Sequence, residues 1–331
     1  MIDLSTTYLG LALKSPIIAA SSGFTDSVSK LKNLEKHGVG AVVLKSLFEE
    51  EITHEYDHTL KAEVDKTGRD EFLDYLDVRI RQENLEKYIN LISKAKKELE
   101  IPVIASVNCK TAYEWISFTS EIEKVGADAL ELNVFVLPSN LNNSSAENEK
   151  IYFEIIKQVK KQVSIPIVLK ISYYFSNLGN MIRELSHAGI GGLVLFNRFF
   201  SPDFDLDKLE VTPANVLSQP GEITMPLRWI ALMHGHTGCD LSASTGVSDG
   251  MAVAKLLLAG ATTVQVASAL YNHGIPYLDV MHHELTTWME SHNFSKISDF
   301  RGKLSQKKYN KPDLFERVQF MRYFSDKESM I

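Results

Sequence analysis

Two lysines close short apolar runs in this 331-residue chain, Val42-Val43-Leu44-Lys45 and Ile167-Val168-Leu169-Lys170. An ammonium at the end of a buried strand needs a partner, so each marks a structural salt bridge or a place where an anion or polar ligand is held. Asparagines stand at or near the ends of three further runs, at Asn108, Asn133 and Asn197. Small hydroxyl residues follow others: Ser21-Ser22, Ser244-Thr245-Gly246 and Ser268. Small side chains at strand ends let backbone N–H groups approach a phosphate, though they also suit ordinary tight turns. A strand-end lysine such as Lys170 could alternatively serve as a Schiff-base nucleophile.

These side chains meet only if their runs lie side by side and parallel. Eight runs read as strands: Pro16–Ser21, Ala41–Lys45, Pro102–Asn108, Ala129–Val134, Ile167–Ile171, Gly192–Asn197, Asp240–Ser244 and Thr263–Ala267. Most are rich in Val, Ile and Leu, as strands covered on both faces are. Amphipathic segments separate them, including Ser27–His37, Leu85–Leu99 and Met251–Ala259. Glycine ends several of these helices, at Gly38, Gly126, Gly189 and Gly260. Eight strand–helix units predict one (β/α)8 TIM barrel over residues 1–331, with functional side chains at the C-terminal mouth. Three segments depart from the repeat. Asp3–Ser15 reads as a hairpin beneath the barrel, and Ser46–Arg81 and Phe199–Gly221 read as insertions on the C-terminal face.

Composition narrows the function classes. Hydrophobic residues make up 44% and charged residues 23%, the balance of a globular chain. A net charge of −7 argues against a nucleic-acid binder. No run approaches the roughly 18–20 apolar residues that span a bilayer, so no membrane association is expected. The start, Met1-Ile2-Asp3-Leu4, lacks the pattern of a signal peptide, and two cysteines, Cys109 and Cys239, suit a reducing cytoplasm. No ligand-like Cys/His cluster stands out, and Glu49-Glu50-Glu51 with His54 and His58 reads as a solvated face, so no metal is expected.

Along nearly its whole length the chain resembles the dihydroorotate dehydrogenase family. The resemblance rests on Ser15-Pro16, Ala20-Ser21-Ser22-Gly23, Leu44-Lys45-Ser46, Glu131-Leu132-Asn133, Leu169-Lys170-Ile171, Ser242–Val247 and Gln265–Leu270. It is similar above all to a divergent, dihydroorotate dehydrogenase-like FMN-binding subgroup. The segments Leu193–Phe199, Pro226–Ala231 and Leu304–Arg317 carry that likeness. The resemblance implies an FMN site lined by Ala20, Ser21, Lys45, Ser46, Asn108, Asn133, Lys170, Asn197, Ser244, Thr245, Gly246 and Ser268. Lys170 would stand by the flavin pyrimidine edge, where a cation stabilises the reduced ring. Lys45, Asn133 and Asn197 would also touch a dihydroorotate-like small molecule, and the protein would be a homodimer serving pyrimidine (UMP) biosynthesis.

The family places a Cys or Ser base on the loop after the fourth barrel strand. Here that loop reads Phe135-Val136-Leu137-Pro138, with Ser139 after the proline as the candidate base and Cys109 as another. Three functions remain open at this point. They are an FMN-dependent oxidoreductase on dihydroorotate or a related cyclic substrate, a flavin-binding barrel with little dehydrogenase activity and a regulatory role, and an FMN-free aldolase built on Lys170.

Overall fold

The computed structural model describes residues 2–48, 70–109, 115–198 and 201–316. Glu49-Glu50-Glu51, His54 and His58, with the middle of the Ser46–Arg81 insertion and Arg317, lie outside the described residues. The chain opens with an antiparallel hairpin, β1 (Thr6–Tyr8) and β2 (Leu11–Leu13). Its two-residue turn is Leu9-Gly10, both at positive φ (57° and 78°), the backbone twist that joins such strands tightly.

Eight parallel strands then form the barrel: β3 (Ile17–Ala19), β4 (Ala41–Val43), β6 (Val103–Cys109), β7 (Ala129–Val134), β8 (Ile167–Ile171), β9 (Gly192–Leu195), β12 (Asp240–Ala243) and β13 (Thr263–Val266). Each neighbours the next around the ring, β13 pairs with β3, and β4 pairs with β6, so the sheet closes. All eight predicted runs are strands, shorter than predicted at several C-terminal ends because those residues turn into the mouth. A short strand, β5 (Leu47–Phe48), joins β6 beyond the end of β4.

Strand alternation sorts side chains between two cores. On β7, Leu130, Leu132 and Val134 face outward, into the larger core shared with the helices. Ala129 belongs instead to an inner cluster with Ile18, Ala41, Val43, Ile104, Val168 and Val194. Tyr8, Leu9 and Leu13 of the hairpin complete that inner cluster. The hairpin is therefore a plug under the barrel, as predicted, and the Leu9 N–H donates to Asp240 Oδ2 at the foot of β12 (2.8 Å).

The outer layer is helical: α1 (Val28–Lys36), α2 (Asp70–Glu98), α3 (Trp115–Lys124), α4 (Ser145–Val159), α5 (Leu178–Ser186), α6 (Thr224–Met233), α7 (Gly250–Ala259), α8 (Ser268–His273), α9 (Tyr277–Ser291) and α10 (Asp313–Glu316). The glycines predicted to end helices take positive φ at Gly38, Gly126, Gly189 and Gly260. Residues 302–306 pack on the outer helices, where the Gly302, Leu304 and Gln306 N–H groups donate to carbonyls of α7 and α6. The Phe199–Gly221 insertion holds a second hairpin, β10 (Pro202–Asp205) and β11 (Glu210–Pro213). Its alternation is hidden in the sequence by the Asp and Pro content. Among the described residues no helix is long and apolar enough to cross a membrane.

One contact ties α9 to the plug. His282 Nδ1 lies 2.8 Å from the Leu278 carbonyl and Nε2 lies 2.8 Å from Ser15 Oγ. A carbonyl can only accept, so Nδ1 carries the proton and Nε2 accepts from the serine. Burial holds this imidazole below its ordinary pKa. The folded pKa is the depressed one, so the contribution is full above about pH 6.5 and is lost as pH falls through the folded value. Urea midpoints measured from about pH 7 to about pH 5 should fall less steeply for His282→Gln than for the wild type. Parallel slopes would contradict this assignment.

Candidate functional site

At the C-terminal mouth lies a cavity of about 530 Å³. Ala20, Ser21, Lys170, Asn197, Ser244, Thr245 and Ser268 line it, so seven of the predicted residues come together. They arrive from five strands that end at one level, which is how a barrel concentrates chemistry that no single element could hold. Arg198, Ser218, Gln265 and Tyr271 line it too.

Lys170 forms the cavity's charged floor. Its side chain is only 9% exposed, and the carboxylate of Glu131 is 3.7 Å away and 2% exposed. Gln265 lies between them in the hydrogen-bond chain: Lys170 Nζ donates to its Oε1 (2.8 Å), and its Nε2 donates to Glu131 Oε2 (2.5 Å). The amide orientation satisfies both partners at once. Stranding either charge inside the barrel would cost roughly 3–5 kcal/mol, because the survivor would be buried without compensation. Glu131 follows Ala129 in the inward alternation of β7, so an acid two residues beyond an inner-core position was the overlooked signal.

A second polar chain runs down from the rim. Ser21 Oγ contacts Ser46 Oγ (3.0 Å) and accepts from the Ser46 N–H (2.8 Å), and Ser46 Oγ contacts Ser106 Oγ (2.7 Å). Here β4 has ended and β5 has not begun, so at Ser106 β6 has a ladder partner only on its β7 side. Tyr88 of α2 fills the gap: its hydroxyl accepts from the Ser106 N–H (2.7 Å) and donates to the Ser106 carbonyl (3.0 Å). A buried backbone pair is thereby satisfied by a side chain.

The far wall is a strap contributed by the insertion after β9. Arg198 Nε pairs with Glu222 (3.0 Å), and its guanidinium donates to the carbonyls of Asn215 and Val216. Ser218 returns to the barrel, where its N–H and its hydroxyl both donate to Ser268 Oγ (3.0 Å each). The Ser268 hydroxyl thus anchors the strap, while the residue itself lines the cavity. Thr245 and Gly246 have consecutive positive φ values, 82° and 74°. Their N–H groups donate to no acceptor among the described residues. A Cβ on Gly246 would lie 2.1 Å from the Ile223 nitrogen, so glycine is what lets the strap pack on this turn.

The remaining predicted residues surround the cavity without lining it. Ser46 sits behind Ser21, and Asn133 accepts from the Asn197 amide. Lys45 continues the inward row of Ala41 and Val43, with its N–H on the Thr25 carbonyl. Asn108 lies beside Asn133 in the β6–β7 register. Ser139 is different. It is exposed, on a turn closed by its N–H to the Leu137 carbonyl, and is not among the residues that line the cavity. The Cys109 side chain lies outside the described residues. Burial pushes the Cys239 thiol up to about 12, and Cys239 precedes β12 at the opposite end of the barrel.

The sequence model described as dihydroorotate dehydrogenase matches residues 3–289. The chain belongs to the dihydroorotate dehydrogenase family. It is 27% identical over 316 residues to the dihydroorotate dehydrogenase B (NAD(+)) catalytic subunit of Thermoplasma volcanium, covering 91% of this chain and 98% of that one. The protein of the same name from Methanocaldococcus jannaschii is 23% identical over 299 residues, covering 88% and 95%. The chloroplastic dihydropyrimidine dehydrogenase (NADP(+)) of Arabidopsis thaliana is 26% identical over 344 residues, covering 95% and 80%. This is a dihydroorotate dehydrogenase-like oxidoreductase, and the mouth cavity lies at the C-terminal strand ends, the face at which barrel enzymes in general keep their sites.

Two outcomes follow from the strap. Charge-assisted hydrogen bonds contribute roughly 1.5–3 kcal/mol each, so Arg198→Ala should speed cleavage between Asn215 and Gln219 by about ten- to a hundredfold in limited proteolysis. Unchanged cleavage would show that Arg198 does not hold the segment. Gly246→Ala should lower stability by about 1–3 kcal/mol in chemical denaturation, since both the positive φ and the Ile223 backbone oppose a methyl.

Proposed function

We propose that this dihydroorotate dehydrogenase-like chain binds FMN in the mouth cavity and oxidises a small cyclic substrate of the dihydropyrimidine class. The observation that carries the reading is Lys170, a buried cation lining a cavity that Thr245 also lines, where the Thr245 and Gly246 N–H groups meet no acceptor among the described residues. The donor set fits the group. A cation suits the pyrimidine edge of a flavin, and N–H groups on a positive-φ turn suit its phosphate. Lys170, Ser21 and Asn197 would hold the ring, while Ser244, Thr245 and Gly246 would hold the phosphate. When bound, FMN would supply the two-electron acceptor.

The protein's own part is to position and to exclude water. Asn197 and Asn133 lock each other, presenting fixed planar amides to whatever lies above them. The Arg198-held strap closes the side of the cavity. The Lys170 amine has spent donors on Gln265 and faces a carboxylate, an arrangement for a fixed cation rather than for a nucleophile that must attack a carbonyl. The same family reading carries a homodimer, a cytoplasmic setting and a place in pyrimidine biosynthesis.

One observation favours a second reading, a flavin barrel with little dehydrogenase activity: Ser139 is exposed and away from the cavity. Phe135-Val136-Leu137-Pro138 offers no proton acceptor in its place. Loss of a positioned base typically costs about 10² to 10⁴ in rate. The purified protein should be yellow and release flavin on denaturation. Mixed anaerobically with dihydroorotate, its flavin should bleach slowly, by about that factor relative to a family member with a Cys or Ser base. A colourless protein that takes up no FMN would overturn the cofactor assignment, and rapid complete bleaching would overturn the account of the loop.

A further inference from the structure

Glu131 is the most deeply buried acid at the mouth, and the proposed mechanism gives it no contact with cofactor or substrate. Only 1% of the residue is exposed, it lies one alternation below Asn133 on β7, and it accepts from Gln265 through Oε2. Its other oxygen, Oε1, accepts no hydrogen bond among the described residues and faces the Lys170 ammonium. The carboxylate's charge is thus balanced by one neutral amide and by Lys170, 3.7 Å away. In a dry interior such a charge acts over longer distances than in water. Whatever lies on Lys170 therefore senses the pair, and Gln265 fixes the separation of its two charges.

We propose that Glu131 is a positioning residue which, through Gln265, holds the Lys170 ammonium in place and offsets part of its charge, thereby setting the reduction potential of the flavin bound above it. The inference rests on the flavin reading of the cavity. A carboxylate at this depth disfavours the extra electrons that Lys170 favours, so removing it should make the bound flavin easier to reduce. Order along the chain matters as well as charge. Lys170, Gln265 and Glu131 run amine, amide, acid from rim to interior, and exchanging the last two moves the anion next to the amine while conserving every group.

The test is the two-electron midpoint potential of flavin-loaded protein, titrated anaerobically beside a dye of known potential. In Glu131→Gln the potential should rise, with reduced flavin held about tenfold more tightly relative to oxidised flavin, about 30 mV for a two-electron couple. The swapped variant, Glu131→Gln with Gln265→Glu, should fold, retain flavin and bring the potential back to the wild-type value or below it. A purely structural role would lower stability in E131Q without this opposite-signed pair of shifts. If E131Q does not fold, recovery of fold and flavin by the swap still supports the relay, and a swap that recovers neither overturns it. Wild type and E131Q with the same potential overturn the inference and leave the flavin site standing. A wild type that binds no FMN overturns the function proposed above, and this inference with it.

Discussion

A cation cannot stand alone inside a cylinder of apolar strands, and the mouth of this barrel is organised around that constraint. Lys170 is held at the top of β8 by an amide from β13 and an acid from β7. Three strands are thereby cross-linked at one height by side chains as well as by their ladders. The arrangement is costly to form and more costly to leave half-made, since a lone buried charge has neither solvent nor partner. Such a network specifies a level in the barrel: above it the interior can be polar, and below it must be filled with hydrocarbon.

The lower half meets that demand with the hairpin. Tyr8, Leu9 and Leu13 bring apolar volume to a floor that the small residues Ala41, Ala129 and Gly192 would otherwise leave open. Leu9 Cδ2 approaches the position of a Cβ on Gly192 to 2.9 Å, so glycine at the foot of β9 makes room for the plug. Burying a side chain such as Leu9 contributes about 1.5–3 kcal/mol, and its backbone N–H is meanwhile satisfied by Asp240. The same logic appears at Ser106, where a gap in strand pairing is closed by the Tyr88 hydroxyl instead of by water. At both places a buried backbone group is satisfied by a side chain that reaches it from another element.

Much of this architecture was legible because parallel strands covered on both faces are continuous apolar runs, and glycine or proline punctuates them. The eight barrel strands and the N-terminal hairpin come from those signals. Strand-end chemistry was legible too: Lys170, Asn197, Ser21, Ser244 and Thr245 all reach the cavity. Glu131 and Gln265 were hidden because each sits mid-run among Leu or Val and makes sense only with a partner more than 90 residues away in sequence. Arg198 and Ser218 were hidden for another reason. Their roles depend on how an irregular insertion folds back, and hydrophobic periodicity carries no information about that return path. Ser139 shows the converse limit, since matching a motif places a residue in a loop without fixing which way its side chain faces.

The two halves of the mouth are built on different physical terms, and this separation bears on what the protein can do. On the β8, β9, β12 and β13 side, charges and hydroxyls are fixed by mutual hydrogen bonds, and the strap is bolted down by Arg198 and Ser218. On the side of the β7 and β8 loops lies a second cavity of about 410 Å³, walled by Val136, Pro138, Tyr152, Tyr173, Tyr174 and Phe175. Its Tyr152 hydroxyl is already engaged by the Val136 N–H, and its rings pack edge to face or tilted against one another. A wall of that kind selects by shape and stacking, and the one carboxylate among its lining residues is Glu149 of α4. The two cavities can therefore change independently in this barrel, because the first is bounded by a rigid polar network and the second largely by aromatic side chains.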